Sequence, residues 1–247
     1  MDSRDLEMLL ASCIHDMKNS ISMILNSADQ LNEPDKSAEQ TNEQLANLRY
    51  EASRLNNDLM HLLGVYRIKE RELPIIIDEH EVHEVLREQF LRNEILLNKS
   101  NMEFELDCDE DEIWYFDNEL IGGVINNILV NAVRYSKKRI RLKARVNNEQ
   151  LTIEISDDGC GYPDSMLHTP DKPQKSISYR TGSTSLGLYF AAKVACLHTK
   201  GEQSGHITLK NGGDLGGGIF TIYLPWCVAT KSTFKYQTPK IVYFKKV

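Results

Sequence analysis

For some seventy residues the chain sets apolar side chains three or four positions apart, a spacing that admits almost nothing but helix. Leu6, Leu10, Cys13, Met17, Ile21, Ile24, Ala28 and Leu31 follow it, and so do Leu45, Leu48, Ala52, Leu55, Leu59, Leu62 and Tyr66. Alternating steps of this kind put one stripe along each helix, as in a coiled-coil seam. Asn32, Pro34 and Asp35 break the pattern between the two runs, and Ser37 with Gln40 has the spacing of a helix-starting capping box. The spacing therefore predicts a helical hairpin over residues 1–70. A lone hairpin leaves its stripe wet, so a homodimeric four-helix bundle is expected.

Pro74 ends that regime. A helix is expected around 79–98, short strands at 102–106 and 114–116, and a helix over 118–136. Strands at 140–146 and 151–156, a helix over 186–198 and closing strands at 207–210 and 219–224 complete the pattern. Mixed elements after a helical hairpin make the fold class α+β, with a second domain at 71–225.

Composition narrows the function. The net charge is −7, and residues 226–247 carry five lysines and no acids, so removing those five charges leaves −12 for the rest. Such a surface argues against nucleic acid, and 226–247 reads as a basic, solvated tail. No apolar run reaches the length of a membrane span, so no transmembrane segment is expected. Cys13, Cys108, Cys160, Cys196 and Cys227 form no CxxC pair, which fits a reducing, cytoplasmic setting.

His15 falls between the stripe positions Cys13 and Met17 and is expected to point outward. A neutral imidazole is nucleophilic near pH 7. Asp16 is placed to hydrogen-bond one ring nitrogen, and Asn19 lies one turn on along the same face. A solvated surface histidine would have the same description. Farther on, Asn127, Asn131 and Arg134 form a polar stripe beside an apolar one, with amide oxygens suited to Mg²⁺ and a guanidinium suited to phosphate. An exposed helix flank fits equally well. Asp157-Asp158-Gly159-Cys160-Gly161 follows a strand, where a carboxylate can accept from an adenine amino group and the glycines permit close backbone approach. His61, His80, His83, His168, His198 and His206 lack a motif partner and are read as structural or solvated, and Gly216-Gly217-Gly218 as a final glycine turn of the domain or only a hairpin connection.

His15-Asp16-Met17-Lys18-Asn19 resembles the H-box of two-component sensor histidine kinases. Residues 127–136, NILVNAVRYS, resemble the N-box of the same family, and Asp157–Gly161 the G1 box. Gly182-Ser183-Thr184-Ser185-Leu186-Gly187-Leu188 resembles the G2 box, with Ser183 and Ser185 in two glycine places and Gly187 intact. Ser20 stands where many members have proline, and 162–181, in the place of the ATP lid, holds no phenylalanine.

The resemblance covers about residues 5–225 and implies a Bergerat-type α/β-sandwich ATP-binding domain after the hairpin. It implies His15 as phosphoacceptor, Asp16 as general base and Asn19 as the phosphatase amide. Asn127, Asn131, Arg134, Asp157, Gly159, Gly161, Ser185 and Gly187 would bind the nucleotide, with Asn131 on Mg²⁺. ATP and Mg²⁺ are the implied cofactors and a response-regulator receiver domain the implied partner. The segment 71–74 is the expected hinge. Because only fourteen residues precede His15, input is expected from a separate sensor protein unless the chain is a fragment. A dimeric phosphotransfer protein with a degenerate ATP-binding domain is the alternative, and a non-catalytic dimeric scaffold a third.

Overall fold

A computed structural model describes residues 3–31, 37–70, 72–167 and 185–227. The turn residues Asn32, Pro34 and Asp35, the expected lid beyond Leu167 and the basic tail beyond Cys227 lie outside them. Two long helices, α1 (Ser3–Leu31) and α2 (Ala38–Lys69), form the hairpin. The capping box at the start of α2 is complete. The Gln40 backbone N–H donates to Ser37 Oγ at 3.2 Å, and the Ser37 N–H donates to Gln40 Oε1 at 3.1 Å. Two of the donors that a helix start leaves unpaired are thereby satisfied.

The second region runs β1 (Asp78–Glu81), α3 (Val82–Lys99), β2 (Glu103–Asp107), β3 (Ile113–Phe116), α4 (Asn118–Tyr135), β4 (Arg139–Asn147) and β5 (Gln150–Asp157). It continues with α5 (Ser185–Leu197), a small β6–β7 ribbon (Thr199–Lys200, Gln203–Ser204), β8 (His206–Asn211) and β9 (Gly218–Pro225). A five-stranded sheet has the order β2-β4-β5-β9-β8, with β2 parallel to β4 and the other neighbours antiparallel. Leu142, Ile153, Phe220 and Ile222 of that sheet bury against Leu86 of α3, Ile125 and Leu129 of α4 and Val194 of α5. Helices on a mixed sheet give the expected α/β-sandwich.

The β6–β7 ribbon is not among the expected strands, and β1 departs further from expectation. The helix foreseen from residue 79 starts at Val82, because Asp78–Glu81 pairs with β3 as an antiparallel ribbon. Asp-Glu-His-Glu carries no apolar alternation. Its strand conformation comes from the β3 ladder, a contact that local sequence does not display.

A buried polar joint fixes the helices that frame the site. Asp117 caps α4 by accepting from the Leu120 N–H at 3.0 Å, and its other oxygen accepts from the Ile76 N–H at 2.8 Å. The Asp117 N–H donates to His198 Nε2 at 3.0 Å. That bond assigns the His198 proton to Nδ1, which lies 2.9 Å from the Val194 carbonyl. Burial holds the His198 pKa below its usual value, and the neutral ring ties the end of α5 to the start of α4.

The hairpin packs on this domain through α5. Val65 and Phe190 are both buried, and the His61 and Phe190 rings lie 5.2 Å apart. Part of the stripe anticipated as seam still faces outward: Ile21, Leu45, Leu59 and Tyr66 are exposed, as are Leu25, Met60 and Leu63.

Candidate functional site

The residues expected from sequence to hold a nucleotide come from three places in the chain. Asp157 ends β5, and its Oδ1 accepts from the backbone N–H groups of Gly159 at 2.7 Å and Gly218 at 3.2 Å. The Gly217 N–H donates to the Asp157 carbonyl at 3.0 Å. The glycine run 216–218 closes the β8–β9 hairpin, as one sequence reading has it, and is also part of the wall around Asp157. A Cβ at Gly217 would stand 2.4 Å from both the carbonyl and Oδ1 of Asp157, so only glycine lets the two loops meet. With Oδ1 occupied twice by backbone donors, Oδ2 is the oxygen left for an amino group on a ligand.

Asn211, which carried no signal in the sequence, organises the other side. It accepts from the Tyr162 N–H at 2.7 Å and donates to the Tyr162 carbonyl at 2.8 Å. Gly161 has φ +76° and would place a Cβ 2.6 Å from Asn211 Oδ1, so a side chain there would meet both backbone strain and a clash. Tyr162 also lies beside the pocket. Burial first, and then the nearby Asp157 charge, pushes its phenol pKa up. Asp158 serves the fold instead. Its Oδ1 accepts from the Lys137 and Lys138 N–H groups at 2.9 Å each, tying β5 to the start of β4.

The α4 stripe faces the start of α5. Asn131 Nδ2 donates weakly to Asn127 Oδ1 at 3.5 Å, while Asn127 Nδ2 is buried with no partner among the described residues. Gly187, near the start of α5, passes so close that a Cβ would lie 2.3 Å from Asn127 Nδ2. A buried amide donor without a partner costs free energy unless something accepts from it. An anion held by the first turn of α5 would accept, since helix starts present free N–H groups. Asn131 is half-buried, and its amide oxygen is of the hard type Mg²⁺ takes, which suits an ion that keeps most of its water and phosphate ligands. Among the described residues no cluster of three or more His, Cys, Asp or Glu offers an alternative metal site. Arg134 is exposed, with its guanidinium 5.3 Å over the Tyr135 ring and its charge felt by Tyr50 of α2. Ser185 opens α5; Ser183 and Thr184 lie outside the described residues.

His15 sits on α1 between buried Cys13 and Met17, as the stripe predicts, with 72% of its side chain exposed. Asn19 Nδ2 is 3.3 Å from His15 Nδ1. Asp16 Oδ1 is 3.8 Å from the same nitrogen, too far for a hydrogen bond in this rotamer but adjacent to it. Both neighbours attend Nδ1, and Nε2 has no partner among the described residues.

Beneath Asp16 is a buried polar cluster that the sequence did not announce. Asp58 of α2 is pushed up to about 6, first by burial and then by the charges of Asp16 and Glu51, with Arg54 opposing. Asp58 Oδ2 and Ser20 Oγ are buried without partners among the described residues. Burial also pushes the Cys13 thiol up to about 12, with Asp58 and Asp16 adding to the shift.

Comparison with known proteins agrees with the fold. Residues 116–227 match the family model described as histidine kinase-, DNA gyrase B- and HSP90-like ATPase. The sensor protein TorS of Escherichia coli is 31% identical over 115 residues, covering 46% of this chain and 12% of TorS. The sensor protein kinase GraS of Staphylococcus aureus is 23% identical over 192 residues, covering 76% of this chain and 53% of GraS. The chain therefore spans from about an eighth to about half of these relatives. In structure, the histidine kinase AdeS of Acinetobacter baumannii superimposes with a TM-score of 0.59 at 21% identity, covering 88% of this chain and 96% of that one. The histidine kinase ThkA, solved in complex with the response regulator TrrA, gives 0.59 at 20% identity, covering 88% of this chain and 60% of that one. Residues 116–227 of this chain thus match the histidine kinase-, DNA gyrase B- and HSP90-like ATPase domain, and with the helical hairpin before them they share the fold of the sensor histidine kinases they resemble.

Proposed function

We propose that this chain is a histidine kinase that transfers the γ-phosphoryl group of ATP to His15 and then passes it to an aspartate of a response-regulator receiver domain. The observation that carries the reading is the imidazole. It is exposed, its Nδ1 faces Asp16 and Asn19, and its hairpin packs on the domain that holds the nucleotide pocket. In the reaction His15 Nε2 attacks the γ-phosphorus in line. The N–P bond forms as the bond to the β,γ-bridging oxygen breaks, and ADP leaves. In the reactive tautomer the proton sits on Nδ1 and is donated to Asp16, replacing the contact that Nδ1 makes here with the Asn19 amide nitrogen; this leaves the Nε2 lone pair free for attack and stabilises the positive ring that results.

Asp157 reads adenine through Oδ2. Asn127, Gly187 and the first turn of α5 receive phosphate oxygens, and Arg134 offsets their charge on the side facing the hairpin. Mg²⁺, held by Asn131, supplies charge neutralisation on the phosphates when bound. Asn19 serves as the amide that orients water for dephosphorylation of the regulator. The outward apolar residues Ile21, Leu25, Leu59, Met60 and Leu63 are the surface a second copy would cover, so the working form is a homodimer. A cytoplasmic location and input from a separate sensor protein belong to the same reading. The 71–74 hinge would let the ATP-binding domain approach His15.

The test is incubation with γ-labelled ATP and Mg²⁺. Acid-labile, base-stable label is expected on the wild type and none on His15→Ala. Label that persists in His15→Ala refutes the site, and absence of label from a wild type that binds ATP refutes the kinase reading. In that second case the serines at 183 and 185, in place of glycines, would favour the phosphotransfer protein with a degenerate nucleotide domain.

A further inference from the structure

On the α3–β1–β3 side of the ATP-binding domain is a groove of about 530 Å³ that the nucleotide site does not use. Its walls include Glu79 and Glu81 of β1, Glu84, Glu88 and Leu91 of α3, and Ile113 of β3. Arg87 is the one guanidinium in the lining, so the groove is strongly acidic. The carboxylates are lightly committed. Glu84 pairs with Arg87 at 3.3 Å and Glu88 with Arg92 at 2.6 Å, but each of these side chains is about half exposed, and such pairs contribute little. Glu81 has no ion pair among the described residues. Between the acids the floor is apolar and wet: Ile113 and Leu91 are 43% and 51% exposed. Ile95, one turn beyond Leu91 on α3, is 85% exposed. Four carboxylates around exposed isoleucine and leucine describe a seat for a segment in which lysines flank large apolar side chains.

This chain contains such a segment, and its path starts beside the groove. Described structure ends at Cys227, and the preceding Trp226 packs its ring 4.8 Å from Trp114 and 5.0 Å from Tyr115. These two residues follow Ile113 on β3. Tyr115 donates its hydroxyl to Glu79, and Ile113 is the register partner of Glu81. The chain therefore leaves the domain against the strand that forms one wall. Residues 228–247 follow, and they contain Lys240, the apolar run Ile241-Val242-Tyr243-Phe244, and Lys245-Lys246. Twenty residues can reach ~65 Å when extended, ample to turn back over a neighbouring groove.

We propose that residues 240–246 of the same chain occupy this groove, with Ile241–Phe244 over Leu91 and Ile113 and the flanking lysines on the Glu79, Glu81, Glu84 and Glu88 carboxylates. The basic segment then caps one face of the ATP-binding domain, independently of whether the domain phosphorylates His15. Charge complementarity selects the segment over the acidic remainder of the chain.

A charge swap in the full chain, read by amide hydrogen exchange, decides it. In the wild type the amides of 240–246 should exchange about tenfold more slowly than in Lys240→Glu/Lys245→Glu/Lys246→Glu. Protection should return when Glu84→Lys/Glu88→Lys is added to that triple variant, and should weaken in the wild type at high salt. Equal exchange in wild type and triple variant overturns the proposal, as does a swap that restores nothing. Protection that grows with protein concentration also overturns it, because the groove would then hold a second chain's segment or another apolar surface.

Discussion

The contact between His61 and Phe190 makes docking of the hairpin on the ATP-binding domain sensitive to pH, and its size follows from the structure. His61 is buried, its Nδ1 has no partner among the described residues, and burial pushes its pKa from 6.5 down to about 4. The ring rests against Phe190 of α5, so separating the hairpin from α5 would return His61 to water and to its ordinary value. The docked state thus binds fewer protons than the undocked state below pH 6.5. Docking keeps its full strength above that value and loses it as pH falls toward 4. The whole shift corresponds to about 3 kcal/mol at 1.36 kcal/mol per unit. Between pH 7.5 and 5.5 only about 1.3 kcal/mol of it is realised, which is roughly a tenfold rise in the undocked fraction.

Other titrating groups border the ring from the hairpin. Asp58, three residues earlier on α2, is pushed up to about 6, and Cys13 and Asp16 of α1 lie near Asp58. Those groups stay in the hairpin whether or not α5 is docked, so to first order their titration cancels. From the domain side α5 brings Lys193, whose ammonium lies 5.4 Å over the Tyr189 ring. Hydrogen exchange of 186–197, corrected for the intrinsic pH dependence of amide chemistry, should show opening that increases on acidification. His61→Leu keeps apolar packing on Phe190 and removes the proton, so its opening should be flat across the same range. An equal slope in His61→Leu, or tighter docking in acid, would refute the reasoning.

Three more outcomes are expected. Asp58→Asn removes a carboxyl that the fold prefers neutral; the ordinary value is 3.8 and the folded one about 6, so ionisation destabilises increasingly as pH rises through this window. The variant should gain about 3 kcal/mol at pH 8 and roughly half that at pH 5 in urea unfolding, and a gain that shrinks with rising pH would contradict the assignment. Gly187→Ala, whose Cβ would lie 2.3 Å from Asn127 Nδ2, should weaken ATP binding at least about tenfold by calorimetry, while Gly123→Ala on α4, with nothing within 4 Å, should stabilise the helix by about 1 kcal/mol without touching affinity. Gly64→Val should loosen docking and leave the hairpin folded, because a Cβ at Gly64 would meet the Phe190 ring at 2.5 Å; unchanged exchange in α5 would argue against that contact.

What the sequence displayed and what it concealed divide along a physical line. The hairpin, the capping box at Ser37, the outward imidazole of His15 and the order of strands and helices rest on periodicity and on groups a few residues apart, and these are visible in one dimension. The Asp157–Gly161 loop was visible as a motif, but the structure around it comes from elsewhere. Asn211, forty-nine positions from Tyr162, clamps the loop, and Gly217 and Gly218 donate to Asp157 across the sheet. No local pattern marks such partners, because an asparagine at a strand end or a run of glycines in a hairpin has many ordinary uses. The same holds for β1, whose charged Asp-Glu-His-Glu becomes a strand only because β3 pairs with it. His61 is the sharpest case. Its sequence neighbours leave it structural or solvated, and only burial against Phe190 makes it a group expected to couple pH to the contact between two regions of the chain. Polar groups whose worth depends on what covers them are where one-dimensional reading fails, since the cost of burying a charge is set by the partner surface and not by the residue.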